Sequence, residues 1–200
     1  MASSGVRDLE AHLRNMDPVK VDMQVLSFSG QLPYFANESE SVETARLGND
    51  LLAQAVREYP NRFAAFACTP LPHIAASIRE IGRALDDLGM VGITAGTMVL
   101  GKSIADRAFE EFFAELNRRK AVLFIHPTGG SGGSELIESA KLAPLIGGPL
   151  EDTVCMLRFM QENIPSRFPD IKIILPHLGG FAPFLTARMD QGKDRFLPGS

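Results

Sequence analysis

Two histidines stand where imidazoles commonly do chemistry. His126 closes the apolar run Ala121–His126, AVLFIH, and His177 closes a second, IKIILPH, that begins at Ile171. Short apolar runs of this kind predict strands buried on both faces. Pro127 and Pro176, which have no N–H to donate, end the ladder at each. Gly179-Gly180 then lets the chain turn tightly after His177. Either histidine alone is most simply a loop residue making a hydrogen bond. Two imidazoles delivered to one face by parallel strands suit a metal site or an acid/base site, because strand ends hold groups in fixed geometry. The pair does not complete a site. A catalytic zinc usually has three protein ligands and an open position, and no His-x-His or His-Glu-x-x-His pattern occurs here.

The other candidates read as structural. His12 lies on the polar side of an amphipathic helix, and His73 belongs to the first turn of another, beside Pro72. Cys68 and Cys155 sit in strand-like and helix-like runs and suit small core residues in a reducing compartment. The stretch Thr128–Gly133, TGGSGG, lacks the Gly-Lys-Ser/Thr of a phosphate cradle, and its glycines open no helix directly after the strand. From there to about Pro149 the sequence reads as a long mobile loop over the carboxyl-end face.

Composition excludes several classes. Of 200 residues, 45% are apolar and 22% charged, with a net charge of −4, the mix of an ordinary soluble globular domain. No Lys/Arg block is present, which argues against a nucleic-acid partner. No apolar run approaches membrane-spanning length, and the first residues are too polar for a secretory signal, so the expected location is the cytoplasm.

Positioning the histidines requires alternating strands and helices. Helices are predicted over Arg7–Met16 and Glu43–Tyr59, and over a run carrying Ile74, Ile78, Ile81, Leu85 and Leu88 that Gly89 stops. A fourth starts at a Ser103-x-x-Asp106 box and carries Phe109, Phe112, Phe113 and Leu116 as a core face. A fifth, Leu150–Ile164, is predicted to turn Leu150, Val154, Leu157 and Ile164 inward. Strands fall near residues 21, 62, 91, 121 and 171. Phe28, Tyr34 and Phe35 lie in the loop after the first, bordering a pocket or packing beneath it. Crossovers of this length make neighbouring strands parallel, which leaves an open doubly wound sheet or part of a (β/α)8 barrel.

The residues at these strand ends carry a family resemblance. His126-Pro127, then Leu175-Pro176-His177-Leu178-Gly179-Gly180 with Pro183 and Arg188 beyond, resemble the metal-dependent amidohydrolase-related family. Met16-Asp17, the strand VDMQVLS, Tyr59-Pro60-Asn61-Arg62-Phe63 and the run LGMVGI follow in the family's order. The resemblance covers essentially the whole chain and rests on the ordered set. It implies a parallel (β/α)8 TIM-barrel fold and a divalent metal, zinc first and manganese second. His126 matches a metal ligand, and His177 an acid/base beside the metal-bound water. Arg188 matches an arginine that reaches a neighbouring subunit's site and grips a substrate carboxylate, which implies a homodimer.

The implied activity is decarboxylation of a small unsaturated or aromatic carboxylic acid. Its variant is a hydrolase or hydratase acting on a lactone or related substrate, and a non-catalytic remnant serving as a dimer or binding module is the alternative. The family's His-x-His pair and last-strand aspartate have no counterpart in this sequence. Residues 1–200 therefore read as a single, truncated barrel domain with about five of eight βα units, expected to hold catalytic metal poorly by itself.

Overall fold

The computed structural model describes residues 5–28, 31–129 and 134–196. Five strands form one parallel sheet: β1 (Gln24–Leu26), β2 (Phe63–Ala67), β3 (Gly92–Gly96), β4 (Val122–His126) and β5 (Lys172–Ile174). Their order across the sheet is their order in the chain. A doubly wound sheet reverses direction at a switch point, whereas a barrel wall adds each strand beside the last. The observed order is that of a barrel wall.

Helix α1 (Gly5–Met16) precedes β1; the connections carry α2 (Glu38–Glu58), α3 (Ile74–Gly82), α4 (Glu110–Arg118), α5 (Glu135–Ser139), α6 (Gly148–Gln161) and α7 (Ile164–Arg167); and α8 (Ala182–Phe196) follows β5. α2 begins earlier than the apolar pattern predicts because Asn37 caps it, its side chain accepting from Glu40 N at 3.2 Å. α3 runs on through a π turn at Arg83–Asp87, and Gly89 ends it at φ +67°. Before α4 the working cap is Asp106, which accepts from Ala108 N at 2.9 Å, and Ser103 instead caps only the turn to Ala105. Asp17 and Arg62, both part of the resemblance, meet in an ion pair at 2.6 Å that ties the end of α1 to the start of β2.

The two faces of the sheet differ. Ala65, Ala67, Ile93, Ala95, Leu123 and Ile125 are buried against the helices. The α4 stripe joins them, with Phe109, Phe112, Phe113 and Leu116 fully buried. Phe113 contacts Phe159 of α6 edge-on and stacks on Phe168 after α7, at 5.8 and 5.6 Å. Each such ring contributes about 1.5–3 kcal/mol through burial alone. The opposite, inner face carries Phe66 stacked on Phe124 at 5.7 Å. Gly92 lies between these strands and leaves room for the stack, since a Cβ there would sit 2.8 Å from the Phe66 ring. His126 follows Phe124 on that face.

The sheet's edges correct one expectation. β5 is not buried on both faces: Ile174 is 42% exposed, and Val25 on β1 is 47% exposed. Among the described residues each of these strands is paired on one side only, and Ile174, in register with Phe124, lies on the inner face. The loop after β4 is also less open than predicted, because α5 and a π turn at Ala143–Gly147 occupy much of it. Residues 130–133 of the glycine-rich stretch fall outside the described residues.

Candidate active site at the carboxyl ends of the strands

β4 and β5 are neighbours, so His126 and His177 emerge at the same end of the sheet. Gly96 pairs with His126 in the ladder, and Thr97 N donates to the His126 carbonyl at 3.0 Å. The His126 ring is half-buried, with Nδ1 2.7 Å from the Pro127 carbonyl oxygen. A carbonyl can only accept, so Nδ1 carries the proton and, in the neutral imidazole, Nε2 keeps its lone pair. That is the arrangement a metal-ligating imidazole needs.

His177 follows β5 through Leu175 and Pro176 and opens a tight turn, His177–Gly179. His177 and Leu178 adopt φ of +49° and +57°. Non-glycine residues in this region cost roughly 1–2 kcal/mol each, and backbone strain of this kind gathers at functional sites. His177 Nδ1 lies 2.7 Å from Asp152 Oδ2, and the Asp152 side chain is fully buried while that of His177 is 46% exposed. Burial raises the Asp152 carboxyl above its ordinary range, and the His177 hydrogen bond partly offsets this.

Three consecutive residues in the first turns of α6 lace these strand ends together. Glu151 Oε2 accepts from Thr97 Oγ1 at 2.7 Å and from Thr128 N at 2.8 Å, joining the segments after β3 and β4. Asp152 holds His177. Thr153 Oγ1 accepts from Phe181 N at 2.7 Å and donates to the Pro149 carbonyl at 2.8 Å, closing the turn that carries His177. Successive helical residues point about 100° apart, so one helix end reaches three neighbours. Gly148 completes the approach. A Cβ there would lie 3.3 Å from the His177 ring and 3.4 Å from Pro127, so the two strand-end segments converge on it.

The sequence pattern misplaced this helix. Val154, expected inward, is 46% exposed, and the buried residues of α6 are Glu151, Asp152, Thr153, Cys155 and Phe159. Ile164 is buried but belongs to α7. Acidic residues in a first turn are favoured by the helix dipole alone, so Glu151-Asp152 gave no separate signal of a buried role. The sequence leaves Tyr34 either bordering a pocket or packing beneath its loop. Its hydroxyl accepts from Gly96 N at 3.0 Å and pins the loop after β1 over the end of β3, while Phe28 packs against Gly48 of α2.

The remaining sequence candidates lie elsewhere. Arg188 is exposed on α8, with no ion pair among the described residues. His73 precedes α3 and its Nε2 bonds the Phe35 carbonyl at 3.0 Å, a structural role, and His12 is exposed. Cys68 and Cys155 are free and buried.

Comparison with known proteins fits this fold. The profile of the family described as Amidohydrolase matches residues 7–195. This chain belongs to that family. It is 30% identical over 186 residues to 2-amino-3-carboxymuconate-6-semialdehyde decarboxylase of Dictyostelium discoideum, covering 92% of this chain and 52% of that protein. The crystal structure of 5-carboxyvanillate decarboxylase from Sphingomonas paucimobilis superposes with a TM-score of 0.81 at 28% identity, over 93% of this chain and 57% of that one. A dihydroxybenzoic acid decarboxylase from Polaromonas, solved with manganese and 2-nitroresorcinol, gives 0.82 at 24% identity, over 90% and 57%. The chain thus spans about half the length of the curated relative and somewhat more of the solved ones.

The fit to a metal is partial. His126 presents the correct nitrogen, but no group of three or more His, Cys, Asp or Glu side chains able to hold an ion occurs among the described residues. Among those residues the donor set is incomplete.

Proposed function

We propose that this chain, as one domain over residues 1–200, serves metal-dependent decarboxylation of a small aromatic or unsaturated carboxylic acid. His177 is the acid/base and His126 contributes one metal ligand. The observation that carries the proposal is the delivery of both imidazoles to one end of adjacent parallel strands, with Nδ1 of His126 bonded to the Pro127 carbonyl and no partner on its Nε2 among the described residues. Decarboxylase relatives of this family support the reaction class. A divalent ion, zinc or manganese, supplies positive charge beside the substrate's oxygens when bound. The protein's own step is a proton transfer. The His177 imidazolium gives its proton to the carbon bearing the carboxylate, the C–C bond breaks, CO2 leaves, and the neutral imidazole regains a proton from water.

In the same proposal Arg188 grips the carboxylate of a substrate held by a second copy, through two parallel hydrogen bonds. Its exposure on α8 supports a role outside its own subunit and hence a homodimer. The cytoplasm is the proposed location, supported by two free buried thiols and by the absence, among the described residues, of any helix long and apolar enough to cross a membrane.

The test is CO2 release from aromatic carboxylic acids by the purified protein supplied with manganese or zinc, beside His177→Gln. Loss of about 10²–10⁴-fold in the variant is expected, and equal rates would overturn the role of His177. One observation favours a second reading, a non-catalytic binding module: the incomplete donor set among the described residues. No CO2 from either protein, with aromatic acid still bound, would decide for it.

A further inference from the structure

We propose that Asp152 is the positioning residue for His177, holding its imidazole with the proton on Nδ1 and leaving Nε2 as the nitrogen that exchanges a proton. As a catalytic statement this rests on the acid/base role proposed for His177; as a statement of structure it stands on geometry. The separation of 2.7 Å is that of a charge-assisted hydrogen bond. A carboxylate can only accept, so Nδ1 must donate to it.

The anchor is buried where the imidazole is not. Asp152 is fully buried on α6, whereas His177 is half in solvent, in a turn of unfavourable φ. Both neighbours of Asp152 are pinned, Glu151 by Thr97 and Thr128, and Thr153 by Phe181 N and Pro149. The helix turn that carries the carboxylate therefore cannot shift without breaking contacts to three strand ends. Its own Oδ1 has no partner among the described residues, which leaves His177 as the group it serves. The Asp152 side chain is closed off from solvent, so it acts through the ring.

The competing arrangement is definite. Burial disfavours the ionised form of Asp152, and a carboxyl protonated on Oδ2 would donate to Nδ1 and send the imidazole proton to Nε2. The two cases differ in which ring nitrogen carries hydrogen. Nitrogen-15 NMR of the full chain, labelled at histidine and read where the imidazoles are neutral, distinguishes them directly. His177 signals are assigned by their loss in His177→Gln. The expected spectrum has Nδ1 as the protonated nitrogen and Nε2 as the bare one.

Asp152→Asn keeps the shape but can offer a donor, so the pattern should invert toward Nε2–H. Turnover should fall about 10²–10⁴-fold with KM little changed, as for a wrong tautomer. A wild-type spectrum with Nε2–H, or an Asn variant with an unchanged pattern, overturns the proposal. The wild-type spectrum alone decides if the variant does not fold. Nδ1–H in a protein that releases no CO2 supports the positioning while counting against the proposed reaction.

Discussion

The turn that carries His177 should be far more sensitive at Gly180 than at its neighbour Gly179. Both adopt positive φ, +76° at Gly179 and +64° at Gly180. A Cβ on Gly179 would meet nothing within 4 Å, whereas one on Gly180 would overlap the Pro149 carbonyl oxygen and approach Thr153 Oγ1 to 2.5 Å. Gly179→Ala therefore carries only the backbone term, about 1–2 kcal/mol. Gly180→Ala carries a similar or larger one, because φ +64° with ψ −128° is essentially a glycine-only region. It must also push the turn off α6. That breaks the two hydrogen bonds of Thr153 Oγ1, each contributing about 1 kcal/mol net.

The sum for Gly180→Ala is roughly 4 kcal/mol against roughly 1.5 for Gly179→Ala. For a chain of this size 1 kcal/mol shifts Tm by about 2–4 °C. Thermal unfolding should thus fall by about 12 °C in one variant and about 5 °C in the other, with urea titrations giving the same order. If the two lose stability equally, within about 0.5 kcal/mol, the clamp between α6 and the His177 turn is not formed as described. Retention in Gly180→Ala of the acid/base activity proposed for His177 would sink it too, since displacing the turn also displaces the imidazole.

Two further outcomes follow from buried or paired groups. Arg118, with Arg119 behind it, holds the Glu115 carboxyl down at about 2, against 4.5 when unperturbed. This group's contribution is present above about 4.5 and is lost as pH falls toward about 2. Urea midpoints of Glu115→Gln should lie below wild type near neutral pH and converge with it on acidification; a constant gap would refute the pairing. Burial pushes the thiols of Cys68 and Cys155 up to about 12. Because the thiolate is the reactive form, neither should label in the folded chain near neutral pH, and both should label quickly in urea. Rapid labelling without denaturant would contradict their burial.

The β/α alternation, the five strands to within a few residues, the phenylalanine stripe of α4 and the placing of both histidines at strand ends were legible in the sequence. Each is a local property: an apolar run stopped by proline or glycine, or a period of 3.6, is written in adjacent residues. The order of the strands across the sheet, which separates a barrel wall from a doubly wound sheet, is not local, and the structure decided it. So did the inner face of β5, since burial of Ile174 depends on what lies beside the strand.

The largest gap was α6. The buried face of its first turns is polar, and polar burial follows no period, because it depends on hydrogen-bond partners brought from afar. Those partners are Thr97, Thr128, His177 and Phe181, each more than twenty residues from the helix residue it meets. The sequence alone determined that two imidazoles stand at strand ends. Only the tertiary structure supplied the carboxylate at Asp152 that holds one of them, because that contact exists only when α6 and the turn after β5 pack together.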